Sequence, residues 1–76
     1  MFDRITSDSG VLGGKPIIRG TRISVAMILE WMASGASRDD ILRTHTHLTA
    51  EDVEQAMGYA AASVRNDVLL AVEVAV

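Results

Sequence analysis

Apolar and polar residues in the first 24 positions follow the pattern of short β-strands. The segment FDRIT, residues 2–6, has the period-two alternation of a short strand. A second extended segment is predicted after Gly13-Gly14, because Pro16 disfavours helical angles in the residue before it and Ile17-Ile18 adds β-branched side chains. We therefore predict two or three short strands over residues 1–24.

A tight turn is predicted within the segment GGKPIIRGTRIS, residues 13–24. Gly20 and Thr21 can form a two-residue hairpin loop, with Gly at the position that needs a positive φ. In that register Arg19 and Arg22 lie opposite each other, and like charges in opposed positions destabilise a hairpin. An anion bound by both side chains would relieve the repulsion, whereas two solvated cations on a hairpin surface are the simpler alternative.

From residue 25 the apolar spacing changes to the period of an α-helix. The first predicted helix ends at Gly35 and carries one apolar stripe, which is formed by Val25, Ile28, Leu29 and Met32. Ser37 and Asp40 have the spacing of a capping box at the start of a short second helix. Ile41 and Leu42 of that helix are predicted to point into the core.

A third helix has the clearest start in the sequence. Thr49 is a favourable N-cap, Asp52 stands three residues later, and Leu48 before the cap can pack against Val53. We predict a helix of about 17 residues, which is within the usual range for globular proteins. Its predicted buried stripe consists of Val53, Ala56, Met57, Ala60 and Val64.

The apolar tail, residues 67–76, allows two interpretations. It either extends the third helix or forms a strand, because valines alternate with other residues in VEVAV. A terminal strand needs an edge to pair with, and another chain can provide one. We therefore expect Val72, Val74 and Val76 at a dimer or partner interface. Trp31, which lies off the stripe of the first helix, either covers the edge of the core or anchors such an interface.

The size of the chain favours a single domain over residues 1–76, assembled as a homodimer. In a chain this short, conformational entropy nearly cancels apolar burial, and the absence of cysteine removes disulfides as a source of stability. The start MFDRITSDSG lacks the features of a secretory signal. No apolar run approaches the roughly 18 residues of a membrane span. We therefore expect a cytoplasmic protein with no membrane association.

The charge of the chain is unevenly distributed. The net charge of −3 argues against non-specific nucleic-acid binding by the whole molecule. Residues 1–46 carry six cations and five anions, whereas residues 47–76 carry one cation and five anions. The acidic start of the third helix would repel phosphates, so the segment before the first helix is the better candidate for binding DNA or an acidic partner. The candidate binding residues are Lys15, Arg19, Gly20, Thr21, Arg22 and Arg38.

Catalysis and cofactor binding are not indicated by the sequence. His45 and His47 lie two residues apart, without the spacing of a zinc site, so we expect a loop role for both. No catalytic triad, pair of catalytic carboxylates or complete phosphate-binding loop can be assembled. We expect neither an enzyme nor a bound metal or cofactor.

Three motifs carry a resemblance to a known family. They are GGKPIIRGTRISV, Gly35 followed by SRDDIL, and LTAEDVEQAMGYAA. Over residues 4–64 the sequence resembles the small bacterial family known as domain of unknown function 433, whose members are similar to VapB-type antitoxins. It departs from the family at THTHL, where an aromatic residue and a proline often precede the leucine.

The resemblance implies a mainly α fold, in which short N-terminal β-strands precede a trihelical helix-turn-helix core over residues 25–66, of the winged-helix or homeodomain-like kind. It also implies a dimeric antitoxin that neutralises a PIN-like ribonuclease toxin and binds its own operator DNA. The carboxylates that hold metal in such a nuclease are groups that an inserted arginine can pair with. A protein-interaction module without DNA binding is the alternative, which the acidic third helix favours.

Overall fold

A two-stranded antiparallel sheet at the N-terminus is followed by three helices. The computed structural model describes the backbone of residues 2–75 and the side chains of residues 2–65. Its elements are β1 (Ile5–Thr6), a single 3-10 turn (Leu12–Gly14), β2 (Ile17–Ile18), α1 (Val25–Ala33), α2 (Arg38–Thr44) and α3 (Ala50–Ala75). The predicted mainly α fold with short N-terminal strands is confirmed.

The sheet places β2 between two other extended segments. β1 pairs with β2 so that Ile5 lies opposite Ile18, and Ile17 forms a bridge to Ser24 on the other side. β1 is shorter than the predicted strand over residues 2–6. The chain turns at residues 3–4, where the amide of Ile5 donates to the carbonyl of Phe2 at 3.1 Å.

The turn after β2 has the predicted glycine but begins one residue earlier than a two-residue loop. Gly20 has a φ of 82°, as predicted, and the amide of Thr21 donates to the carbonyl of Ile18 at 3.0 Å. The bridge between Ile17 and Ser24 keeps the predicted register, but Arg19 and Arg22 both lie in the turn and form no backbone ladder pair. The Thr21 hydroxyl explains why the turn is longer than two residues, since it donates to the Ile18 carbonyl and accepts from the amide of Ile23, groups that a regular ladder would join to each other.

Side-chain caps define the starts of α1 and α2. The Ser24 hydroxyl accepts from the amide of Met27 at 3.0 Å. Ser37 and Asp40 form the predicted capping box, in which each side chain accepts a hydrogen bond from the other residue's amide. Gly35, with a φ of 107°, follows the end of α1. The caps orient α2 so that Ile41 is buried, as predicted.

The hydrophobic core lies between the sheet and one flank of α3. Leu48 and Val53, the predicted staple at the start of α3, both belong to it, and Val53 is completely buried. The predicted buried stripe of α3 is wrong at Met57 and Val64, which are 43% and 51% exposed. The contacts that α1, α2 and β1 make with α3 leave these two side chains exposed. The core consists of Ile5, Ile18, Ile23, Val25, Ile28, Ile41, Leu48, Val53 and Ala56.

Helix α3 is longer than predicted because it includes the apolar tail. It runs from Ala50 to Ala75, over 26 residues, so the strand interpretation of the tail is wrong and the helical one is right. No proline, and no glycine after residue 58, interrupts this part of the sequence. Val72 and Val74 lie on the helix, and Val76 lies outside the described residues. No helix in the described part of the chain combines the length and apolarity needed to cross a membrane.

Candidate functional site

The turn that begins at the last residue of β2, residues 18–22, presents two arginines to solvent, and we refer to it as the basic turn. Arg19 and Arg22 are both exposed. The Nε of Arg19 donates to the backbone carbonyl of Asp3 at 2.8 Å. Among the side chains that the structure describes, no carboxylate pairs with either guanidinium group. The positive charge of the basic turn therefore remains available to an external anion.

The backbone of the basic turn adds further hydrogen-bond donors. Gly20 and Arg22 are exposed, and within the described residues their amides donate no hydrogen bond. Gly20 has a positive φ, a conformation that residues with a Cβ rarely adopt. No other atom would lie within 4 Å of a Cβ at this position. Two amides and two guanidinium groups on one short turn suit the oxygens of a phosphate or carboxylate.

Lys15 lies apart from the two arginines. It precedes β2, whereas Arg19 follows it, so the extended backbone separates the two Cα atoms by about 13 Å. Lys15 borders an open groove of about 430 Å³ that Leu12 and Met27 also line. The three cations predicted as one cluster are therefore divided between the two ends of β2.

Arg38, the remaining cation of the predicted set, lies in the first turn of α2. Its Nη1 is 3.1 Å from Oε2 of Glu54 on α3, and both side chains are about half exposed. Exposed ion pairs of this kind contribute only about 0.2–1 kcal/mol. Arg38 therefore carries less uncompensated charge than the basic turn, and its binding role stays a prediction.

A partly buried ion pair supports the N-terminal segment that the basic turn contacts. Asp52 is completely buried, and its Oδ1 accepts from Nε of Arg4 at 2.6 Å. Its Oδ2 accepts from the amide of Thr49 at 2.9 Å, while Thr49 Oγ1 accepts from the amide of Asp52. The predicted N-cap at Thr49 is thus confirmed. The carboxylate of Asp52 also binds Arg4, which lies near the other end of the chain.

The pKa of Asp52 lies below its ordinary value despite complete burial of the side chain. Burial raises the pKa of a carboxyl group, but the hydrogen bonds from Arg4 and Thr49 and the charge of Arg4 lower it by more. The same contact raises the pKa of Arg4. Both groups therefore remain ionised in the folded protein at neutral pH.

Gln55 connects this ion pair to the basic turn. Its Oε1 accepts from the amide of Arg4 at 2.7 Å, and its Nε2 donates to Oδ1 of Asp3 at 2.8 Å. The carbonyl of Asp3 in turn accepts from Arg19. The first two turns of α3 thus fix the backbone against which the basic turn packs. Sequence reasoning missed Asp3, Arg4 and Gln55, because no local pattern links residues more than 45 positions apart.

We expect the folded protein to lose stability below about pH 4. Three carboxyl groups, those of Asp3, Asp40 and Asp52, have a lowered pKa in the folded state. Such groups stabilise the fold above their unfolded pKa of about 3.9, and this contribution is lost as the pH falls through the folded values. Urea unfolding between pH 7 and pH 2 should show a plateau above pH 5 and a steep decline below pH 4. A stability that rises on acidification would contradict this account.

Trp31 and His45 form a stacked pair beside α2. Their ring centroids lie 4.3 Å apart with an angle of 11° between the planes. Both side chains are half-buried, and Trp31 packs against the core. They border an open groove of about 290 Å³ that Ala36, Asp40 and Ile41 also line. This position corresponds to the predicted role of Trp31 at the edge of the core; its predicted interface role stays a prediction.

Removing the imidazole should expose Trp31. His45→Ala is expected to lower the free energy of unfolding by about 1 kcal/mol, the usual contribution of an aromatic pair. Trp31 is the only tryptophan in the chain, so its emission reports this change directly. The emission maximum should shift to longer wavelength in the variant, while His47→Ala should leave it in place. Equal spectra for the two variants would argue against the stacked pair.

Metal binding is not supported within the described part of the chain. No three His, Asp or Glu side chains among those residues lie close enough to hold one metal ion. His45 follows the end of α2, and His47 lies in the following turn, 6.4 Å from it between ring centroids. Both residues thus lie in the predicted loop.

The chain is similar in sequence to a known protein family and to a bacterial protein. Residues 5–60 match the model of a family described as "Protein of unknown function (DUF433)". An uncharacterized protein of Sinorhizobium fredii, y4eO, is 37% identical over 59 residues, which cover 78% of this chain and 27% of that protein. The chain thus spans about a quarter of the length of that relative.

A solved structure shares the fold. The crystal structure of a DUF433 member from Anabaena variabilis is similar to this chain with a TM-score of 0.79 and 33% sequence identity. The match covers 84% of this chain and 63% of the other.

Proposed function

We propose a function on the premise that this chain belongs to the DUF433 family of proteins of unknown function. The protein is the antitoxin of a type II toxin-antitoxin pair, which neutralises a PIN-like ribonuclease toxin and binds operator DNA as a homodimer in the bacterial cytoplasm. It has no catalytic activity of its own. The resemblance to VapB-type antitoxins suggests this role, and the basic turn is the observation that supports it.

The basic turn has the chemistry that a nuclease active site would accept. Arg19 and Arg22 are exposed and have no carboxylate partner among the described side chains. A PIN-type pocket gathers carboxylates around its metal, and a guanidinium group can pair with a carboxylate through two parallel hydrogen bonds. An arginine of the basic turn would thus displace the metal, and the second arginine would hold the rim of the pocket.

Operator phosphates are the other anionic surface that the basic turn fits. Arginine side chains and exposed amides are common phosphate ligands, and they position a protein on DNA without reading its sequence. In a dimer, two basic turns would contact phosphates on two half-sites. Lys15 and Arg38 would add contacts outside the turn.

A second candidate function, a protein-interaction module without DNA binding, is favoured by the start of α3. Glu51 and Glu54 are exposed in the first turns of α3. A helix-turn-helix protein usually contacts DNA with the first residues of its recognition helix, which α3 would be here. Negative charge at that position opposes docking into a groove lined by phosphates. In this alternative the basic turn binds only the partner protein.

Co-expression with the adjacent reading frame tests the proposed function. The antitoxin should relieve the growth arrest that the neighbouring protein causes, and the two proteins should purify as a complex. A gel-shift assay of that complex with operator fragments then distinguishes the two candidate functions. Only an antitoxin that represses its operon would slow the migration of the DNA fragments. Absence of both a complex and growth rescue would remove the antitoxin proposal.

A further inference from the structure

One apolar face of α3 is left uncovered by the rest of the described chain. Met57 and Val64 are 43% and 51% exposed, and Ala61 between them is exposed as well. With 3.6 residues per turn, these three positions fall within about 60° of one another around the helix. We refer to them as the outer α3 face.

Two opposite charges border the outer α3 face along the same edge. Glu54 and Arg65 are both exposed, and their positions lie about 20° apart around the helix. Glu54 also pairs with Arg38 of its own chain through Oε2, which leaves its other carboxylate oxygen for a second cation. In an antiparallel two-fold pair of identical helices, the corresponding edges of the two helices face each other. If Met57 lies opposite Val64 of a second copy, Glu54 and that copy's Arg65 are offset by only about 3 Å along the axis. A parallel pair would join opposite edges and leave these charges apart.

We infer that the outer α3 face pairs with the same face of a second copy of this chain in antiparallel orientation, a contact that rests on the dimer of the proposed function. The face is self-complementary in both apolar residues and charge, as a two-fold contact requires. Ala61 lies near the centre of the pairing, where a small side chain allows two helices to approach closely. The pairing would bury additional apolar surface, which the small core of a 76-residue chain without cysteine does not provide.

A charge placed at the centre of the pairing should separate the two copies. Ala61→Arg is expected to raise the dissociation constant of the dimer at least 100-fold, because two guanidinium groups would meet across the two-fold axis. Ser63→Arg is the matched control, since it adds the same exposed charge to the same helix about 130° away from the outer α3 face. Sedimentation velocity of the full chain over a concentration series, without toxin or DNA, measures both, and circular dichroism verifies the helix content.

Cysteine cross-linking then tests the orientation. The chain contains no cysteine, so an introduced thiol is the only one present. Ala61→Cys should form a disulfide between copies on oxidation in air. Met57→Cys should not, because the antiparallel pairing separates the two thiols by about 10 Å along the axis, beyond the reach of a disulfide. Efficient cross-linking at both positions would indicate parallel helices and overturn the proposed pairing.

A charge exchange tests the same edge independently. Arg65→Glu should weaken the dimer, since it opposes Glu54 with a like charge. Adding Glu54→Gln to this variant removes the repulsion without placing a second cation beside Arg38, and should recover part of the loss. A wild-type chain that remains monomeric, or an Ala61→Arg variant as dimeric as the Ser63→Arg control, would overturn the inference. None of these measurements involves the toxin. If the proposed helix pairing fails, growth rescue therefore remains a separate test of the antitoxin proposal.

Discussion

Replacement of Asp52 by alanine is expected to lower the free energy of unfolding by about 3 kcal/mol. The substitution leaves the guanidinium group of Arg4 without its partner and the amide of Thr49 without its acceptor. Removal of one member of a buried ion pair usually costs about 3–5 kcal/mol. We expect the lower end of that range because the Arg4 side chain is 35% exposed and can regain water. At about 0.05–0.15 kcal/mol per residue, a chain of this size has only about 4–11 kcal/mol of stability to lose.

Glu51 provides the matched control for this substitution. It lies in the same turn of α3, is exposed, and accepts a hydrogen bond only from Gln55 among the described side chains. Glu51→Ala should change the free energy of unfolding by less than about 0.5 kcal/mol. Urea unfolding followed by circular dichroism measures both variants. Equal stabilities for Asp52→Ala and Glu51→Ala would show that the carboxylate of Asp52 does not hold the N-terminal segment.

The double substitution Arg19→Ala, Arg22→Ala is expected to weaken binding to the toxin at least roughly a hundredfold, because truncation of charged groups that pair across an interface is costly. The fold should survive, since Arg22 makes no side-chain contact with the described residues through hydrogen bonds or ion pairs and Arg19 makes one hydrogen bond to a backbone carbonyl. Titration calorimetry with a catalytically inactive toxin measures the affinity. Growth arrest should return in cells that carry the double variant.

Arg43 is the control for general charge loss. It is exposed, and it pairs with Asp40 on the same helix rather than presenting a free charge. Arg43→Ala removes one cation and should leave the affinity for the toxin within about threefold of the wild type, as expected for a charge outside the interface. If the double variant and the control bind equally well, the basic turn is not part of the toxin interface.

The sequence predicts local structure well wherever neighbouring residues determine it. The caps at Ser37 and Thr49 and the positive φ of Gly20 follow from hydrogen bonds and sterics within a few positions. Each of these features was predicted, and the structure confirms each. The length of α3 was not predictable in the same way, because the valine alternation in its last turns suits a strand as well as a helix.

The candidate site depends on contacts that no local pattern reveals. Arg4 reaches Asp52 across 48 positions, and Gln55 reaches Asp3 across 52. Whether an arginine is paired or free is decided by such contacts, so the sequence predicts the cations of the basic turn but not the support behind them. The exposure of Met57 has the same origin, since the other elements determine which face of α3 is covered.

Operator binding over a series of salt concentrations tests most directly whether the basic turn binds an anionic surface outside the molecule. Each phosphate contact makes log K fall with log salt concentration by about 0.9. We expect a linear decline for the wild-type dimer, and for the Arg19→Ala, Arg22→Ala double variant a slope smaller by about two per chain. Identical slopes for wild type and double variant would contradict the role assigned to these arginines on DNA.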